Sequence, residues 1–442
     1  MNPVRIAAPP SKSLSHRALI CAALAPGDSI LEGLLDSQDL GRTKECLRAL
    51  GAELEPCHGG LLVRGTVPGP DSGAAVSLNV GESGTTCRLM AAVAAAFPGK
   101  WRIHGEGRMH ERPISHLTDA LVSQGVNVIF EEKTGYPPLT IAGQGLSGGE
   151  TPINPEQSSQ YLSGLLLAAP LARSRTVITL TGRSAASWPY VALTLDMMDA
   201  FGAEAAVEFR AGSGWRPCPH VSEAAGAEPA DIRFLVNPGP YRARNMRIEG
   251  DWSNASYFLA AGAVGRVPVT VTGLRRDSAQ GDRFMVDILE RMGARVLWDK
   301  DEVTVFPSAL HGVDVNMNAC PDIVPTVAAV AAFARGETVI SGAAHLAIKE
   351  CDRIQAPVAE LSKAGVDITA RADGMAVRGG PFRTRAKLSA HGDHRMAMSL
   401  SLLELGGVAV SLDNPACVAK SFPDFWTAWT LIRRANGVPH AL

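Results

Sequence analysis

Apolar residues in this chain come in blocks of helical length, each opened by a short polar cluster. Ser11-Lys-Ser-Leu-Ser-His-Arg17 leads into an apolar run over residues 18–25, Gly81-Glu-Ser-Gly-Thr-Thr-Cys-Arg88 into 90–97, and Glu156-Gln-Ser-Ser-Gln160 into 165–169. Gly250-Asp-Trp-Ser-Asn254, Pro321-Asp322 and His391-Gly-Asp-His-Arg395 open three more. These openings lie 70, 75, 94, 71 and 70 residues apart, which is the mark of an internal repeat. Each block predicts a buried helix that starts polar.

A second pattern recurs between the blocks: an amphipathic helix that stops at glycine and turns into a β-type run. Gly51, Gly125, Gly202, Gly293 and Gly365 are the stops, placed where a left-handed helix cap is expected. Two helices and several strands in every seventy or so residues imply an α/β protein of six similar units. With 442 residues, two domains are expected. The longest spacing holds residues 211–219 and 224–229, rich in Gly, Pro and Ala, which read as a loop-like insertion. The domain boundary therefore falls near Glu249, with three units on either side.

The polar-then-apolar start imitates a signal peptide, but a pattern used six times is structure rather than an address. No apolar run approaches the roughly 18 residues of a membrane span, so none is expected. A net charge of −2 argues against a nucleic-acid partner and makes any anion binding local. The eight cysteines are scattered without C-x-x-C pairs or zinc spacing, as in a chain kept reduced in the cytosol.

On or near the helix starts stand Lys12, Ser13, Arg17, Arg88, Arg108, Ser158, Ser159, Lys349, Arg353, Arg395 and Lys420. Free N–H groups, hydroxyls and long cations at helix N-termini suit phosphate and carboxylate groups. The plainer reading of any one of these cations is a solvated surface charge. Asp322, opening the fifth block, and Glu350, inside the basic run 349–353, are candidates for proton transfer. Their plainer roles are a helix cap for Asp322 and an ion pair with Arg353 for Glu350. His391, Asp393 and His394 have no third ligand set, so no metal is expected. Residues 81–84 lack the closing Gly-Lys-Ser/Thr of a P-loop, so no nucleotide cofactor is expected. Cys87 and Cys351 lie beside cations that could lower a thiol pKa, yet neither has a base partner, and packing is their expected role.

Taken in order, Ser11-Lys-Ser-x-Ser-x-Arg17, Gly84-Thr85 with Arg88, Arg108-Met-x-Glu-Arg-Pro113, Ser158-Ser-Gln160, Gly250-Asp251, Lys349-Glu-x-Asp-Arg353, Asp393-His-Arg-Met-Ala-Met398 and Lys420-Ser-Phe-Pro-Asp424 resemble the EPSP synthase family of enolpyruvyl transferases. The resemblance covers about residues 9 to 427, apart from the insertion. It implies an α/β fold of two domains, each of three βαβαββ-type repeats, inverse α/β barrel-like with helices buried against sheets. Residues 12–249 would form one domain and 1–11 plus 250–442 the other, with the active site in a cleft that closes on substrate.

The implied reaction is transfer of the enolpyruvyl group of phosphoenolpyruvate to the 5-hydroxyl of shikimate-3-phosphate by addition and elimination, in aromatic amino-acid biosynthesis. A cytoplasmic monomer is implied, without cofactor, metal, nucleic acid or membrane. Shikimate-3-phosphate would be held by Ser13, Arg17, Ser158, Ser159, Ser187, Tyr190, Asp322, His345 and Lys349. Phosphoenolpyruvate would be held by Lys12, Gly84, Arg108, Gln160, Arg353, Arg395 and Lys420. Asp322, Glu350 and Lys12 would carry the proton transfers. Glu82, Trp188 and His345 depart from the usual Asn, Lys and Asn, which bears on affinity and glyphosate sensitivity but not on reaction type. The sister transferase acting on UDP-N-acetylglucosamine begins with Lys-Asn-Ala, where this chain has Lys12-Ser13. A non-catalytic anion sensor on the same scaffold would have no need to keep Asp322, Glu350 and Lys12 together.

Overall fold

The computed structural model describes residues 2–65, 74–212, 214–218 and 227–438. Its chain divides into two compact units, Lys12–Ile248 and Met1–Ser11 plus Glu249–Leu442. Glu249 thus belongs to the second unit, one residue away from the boundary expected from sequence.

Three sheets make up Lys12–Ile248. In one, Ala75–Asn79 and Gly99–His104 run parallel, joined by the helix Gly84–Ala95; Leu139–Gly143 and Asn127–Phe130 continue it antiparallel. Another pairs Gly149–Ile153 and Thr176–Leu180 in parallel around the helix Ser159–Ala168, then adds Ile232–Val236, Ala205–Ala211 and Gly214–Pro217. The remaining sheet pairs Gly27–Glu32 with Gly60–Gly65 and Glu53–Cys57. There the parallel outer strand is Met246–Arg247, at the far end of the unit.

The insertion is the main departure from the sequence reading. Much of it is strand rather than loop, and only Ser213 and residues 219–226 lie outside the described residues. Trp215 holds this hairpin, its ring covered by Arg210 at 5.0 Å and Arg233 at 4.3 Å. Those stacked contacts supply an apolar and cationic cover that the Gly- and Pro-rich composition conceals.

The second unit also has three sheets. Val4–Ala7 pairs in parallel with Val269–Thr272, so the first residues of the chain supply the strand that would precede the helix Trp252–Val264. Asp314–Asn316 and Thr338–Ser341 run parallel around Val324–Ala331, as do Arg385–Leu388 and Ala409–Leu412 around His394–Leu400. Among the described residues the last of these sheets has two strands only.

Why the block helices are buried follows from their sequences. Lys12–Leu24 is enclosed from Ser15 to Leu24, and Trp252–Val264 over nearly its whole length, because neither has a polar face to give to solvent. The amphipathic helices behave differently. Gln38–Ala49 buries one stripe, is capped by Ser37 Oγ accepting from Leu40 N–H, and ends before Gly51 at φ +104°. All five cap glycines found in the sequence have positive φ, from +74° at Gly202 to +104° at Gly51. Among the described residues no helix is long and apolar enough to cross a membrane.

Candidate active site

In Lys12–Ile248 the polar helix starts are tied together by side chains. Lys12 Nζ lies 3.3 Å from Asp39 Oδ2, both largely buried. One turn on, Arg17 is enclosed and its donors are taken by Thr194 Oγ1 (2.8 Å), the Ser13 carbonyl (2.9 Å), Ser163 Oγ (3.3 Å) and the Tyr190 carbonyl (3.0 Å). Arg17 therefore fastens Ser13 to the segment carrying Ser187 and Tyr190. Ser187 itself sits at φ +56°, an uncommon conformation for a residue with a Cβ, just ahead of the helix Pro189–Ala200.

His16 Nδ1 meets Thr43 Oγ1 at 2.8 Å, and Thr43 meets Thr86 Oγ1 at 2.7 Å. Thr86 then donates to Ser83 Oγ, the cap of the helix Gly84–Ala95. Burial drives the His16 pKa down to about 3, so this chain of hydrogen bonds is neutral at physiological pH. Arg88 donates to Gln160 Oε1 at 2.8 Å, and Gln160 donates to Thr85 Oγ1 at 2.9 Å, joining the second and third helix starts. Ser158 caps the third, accepting from Gln160 N–H.

Gly84 has a reason beyond its motif: a Cβ there would collide with the Arg112 guanidinium, with Cζ at 2.6 Å. Arg108 is half-exposed and pairs with Glu111 at 3.0 Å. Of the departures from the family pattern, Trp188 turns into the core, its ring 6.1 Å from that of Phe234. Glu82 lies against Gly107, next to Arg108, where any side chain at 107 would collide with its Oε1.

The second unit gathers more charge. Arg353, with a side chain only 2% exposed, donates to Asp322 Oδ1 (3.0 Å), Glu350 Oε2 (2.9 Å), and both oxygens of Asp393 (2.7 and 3.2 Å). Arg395 reaches Asp322 Oδ2 at 2.7 Å, and Lys420 Nζ lies 3.5 Å from Glu350 Oε1. Burial works against the Arg353 cation, but Asp393, Glu350 and Asp322 together overcome it and hold its pKa above the ordinary arginine value. Asp393 also caps the helix His394–Leu400 through Arg395 N–H at 2.8 Å. The helix-cap reading of Asp322 is overturned: it sits in the turn Pro321–Ile323, and its two oxygens go to guanidinium groups. For Glu350 the ion pair with Arg353 is present, alongside the one with Lys420.

His345 is mostly buried and its pKa is pushed down to about 3 by that burial and by Lys349. His391 turns to Glu360 at 2.8 Å, and His394 is enclosed, so the pair does not converge on one point. Burial raises the thiol of Cys87 to about 11 and that of Cys351 higher still, outweighing the neighbouring cations. A cavity of about 360 Å³ lined by Arg266, Glu404, Val408, Arg433 and Asn436 contains none of these residues.

A model of the family described as EPSP synthase (3-phosphoshikimate 1-carboxyvinyltransferase) matches residues 4–213 and 223–429. The chain belongs to the EPSP synthase family. Relatives called 3-phosphoshikimate 1-carboxyvinyltransferase include one from Edwardsiella ictaluri, 39% identical over 441 residues and 98% of each chain. Another, from Methanosphaerula palustris, is 39% identical over 97% of this chain and 96% of its own. A solved EPSP synthase from Acinetobacter baumannii superposes with TM-score 0.74 at 26% identity, covering 98% of this chain and 95% of that one. The enolpyruvyl transferase NikO of Streptomyces tendae shares the fold at TM-score 0.71 and 19% identity. As an EPSP synthase family member the chain is a transferase that moves the enolpyruvyl group of phosphoenolpyruvate to shikimate-3-phosphate in the shikimate pathway.

Several residues of these two side-chain networks could not be picked out as such from sequence. Asp39 carries no local signature among 44 acidic residues. Asp393 was weighed from sequence only as a metal ligand, and its capping position, two residues before Arg395, was the available signal for its place in the network. Arg112 was legible only as part of Glu-Arg-Pro113.

Proposed function

We propose that the two half-sites serve the one transfer reaction, with the division of labour that the family motifs suggest. Ser13, Ser158, Ser159, Ser187 and Tyr190 bind shikimate-3-phosphate from the first unit, with Arg17 fixing Ser13 and Tyr190 from behind; His345, Lys349 and Asp322 bind it from the second. Lys12, Gly84, Arg108 and Gln160 with Arg353, Arg395 and Lys420 hold phosphoenolpyruvate. Two phosphates and two carboxylates must come together, and cations relieve that repulsion.

The 5-hydroxyl attacks C2 of phosphoenolpyruvate while C3 takes a proton, giving a tetrahedral ketal phosphate. C3 then loses a proton, the C2–C3 double bond re-forms and phosphate leaves. Asp322 accepts the hydroxyl proton, Glu350 serves C3, and Lys12 hydrogen-bonds the developing negative oxygen. The observation that carries this reading is the meeting of Asp322 and Glu350 on one guanidinium, Arg353. Asp322→Asn and Glu350→Gln are each expected to lower kcat by about 10²-fold or more, the scale of a lost general acid or base. Near-normal phosphate release by both variants would overturn the assignment.

Two further readings belong here. The recurrence of a parallel strand pair about buried helices, with Met246–Arg247 and Val4–Ala7 filling two of the outer positions, supports six βαβαββ-type repeats, three in each of two domains. Cytoplasmic location and a monomeric state complete the proposal; scattered free cysteines favour the first. Size-exclusion chromatography with light scattering tests the second.

A further inference from the structure

One buried carboxylate that the mechanism above does not use, yet that stands beside it, is Asp282. Its side chain is enclosed, 3% exposed, in the turn Gly281–Arg283. That turn packs against the turn Pro321–Ile323, which carries Asp322. Ser253, in the first turn of the helix Trp252–Val264, donates its hydroxyl to Asp282 Oδ2. The neighbouring Gln280 is locked by the Gly250 carbonyl at 2.8 Å, Glu249 at 2.6 Å and Ser11 Oγ at 3.0 Å, so the turn has little freedom. The charged and titratable groups facing Asp282 are Asp322 and Cys320 from one side, Arg395 from the helix His394–Leu400, and Asp251 at the cap beside Ser253.

We propose that Asp282 is a positioning residue for the transfer reaction: by gaining or losing its proton it sets how tightly Arg395 holds Asp322, and hence how readily Asp322 accepts the substrate hydroxyl proton. This rests on the acid–base role of Asp322 given above. When Asp282 is ionised, two buried carboxylates share the field of Arg395, and their repulsion makes each a stronger base. When Asp282 is protonated, Arg395 serves Asp322 alone and keeps it anionic. Burial, followed by the charge of Asp322, raises the Asp282 pKa to about 7, which places the change inside the working pH range of an enzyme. Cys320 does not compete for this proton, since burial pushes its thiol far above that range.

The test is the pH dependence of kcat for Asp282→Asn, Ser253→Ala and Asp322→Asn, together with shikimate-3-phosphate affinity and melting temperature. Asparagine at 282 keeps an oxygen for the Ser253 hydroxyl, so a folded variant is expected. It should lose the inflection near pH 7 and about tenfold in kcat, the value of one pKa unit of coupling, with affinity unchanged. Ser253→Ala removes a hydrogen bond to the ionised form and should move the inflection to higher pH. A purely structural role would move neither. A wild-type profile in both Asp282→Asn and Ser253→Ala would overturn the inference while Asp322→Asn stays inactive. Full activity in Asp322→Asn would instead overturn the acid–base reading beneath it.

Discussion

Asp393→Asn removes one charge from a carboxylate that is wholly enclosed and faces Arg353 through two contacts of 2.7 and 3.2 Å. Asparagine keeps one oxygen for Arg395 N–H, so the cap of the helix His394–Leu400 survives. What goes is the closest counter-charge of a guanidinium that is itself 2% exposed. Removing one partner of a buried pair costs about 3–5 kcal/mol. Asp322 and Glu350 remain on Arg353 and soften the loss, so roughly 2–3 kcal/mol is expected on the same scale. Against a total stability of about 5–15 kcal/mol this is large. Asp393→Ala should cost about 1 kcal/mol more, through the lost cap. Urea unfolding followed by tryptophan fluorescence measures both, Trp252, Trp298, Trp426 and Trp429 reporting on the second unit. A loss below about 0.5 kcal/mol for Asp393→Asn, smaller than a single ordinary hydrogen bond, would refute the claim that Arg353 depends on this carboxylate.

Three other outcomes are expected. Between pH 6.5 and about 3 the unfolded chain takes up the His16 proton and the folded chain does not, so stability falls as the pH drops through that window; His16→Asn should flatten the acid side of a stability–pH curve, and an unchanged slope would count against the neutral His16. Gly84→Ala should displace Arg112 and raise KM for phosphoenolpyruvate by about tenfold, a cost of about 1.4 kcal/mol, with KM for shikimate-3-phosphate little changed; equal effects on both substrates would sink that argument. In thiol labelling at pH 8, half-buried Cys57 should react well before the enclosed Cys21, Cys87, Cys320 and Cys351, whose thiols burial keeps protonated; early labelling of Cys87 or Cys351 would contradict it.

Legibility in the sequence followed locality. Helix starts, cap glycines and their spacing are written in consecutive residues, so Ser83, Ser158 and Asp251 cap where their clusters predicted, and Gly51 to Gly365 turn left-handed as expected. Contacts over long separations left no such trace. Nothing near Lys12 points to Asp39, and nothing near Asp322 points to Arg395, 73 residues away. Arg17 reads as a cation offered to an anion, and its enclosure does not show, because the residues that take its donors, Ser163 and Thr194, lie 146 and 177 residues downstream. Composition misled at the insertion, where cation–aromatic stacking across strands makes a hairpin of a Gly- and Pro-rich segment.

The strand Val4–Ala7 is made long before its partner. Val4 pairs with Val269, so roughly 260 residues of synthesis intervene. At about 5–20 residues per second on the ribosome that is a wait of about 13–50 s. During it Lys12–Ile248 can emerge whole and begin to fold, while the four residues ahead of it stay unpaired. A tag placed ahead of Val4 is thus carried by a strand that must wait for the second unit, and its burden falls on the half of the protein synthesised later.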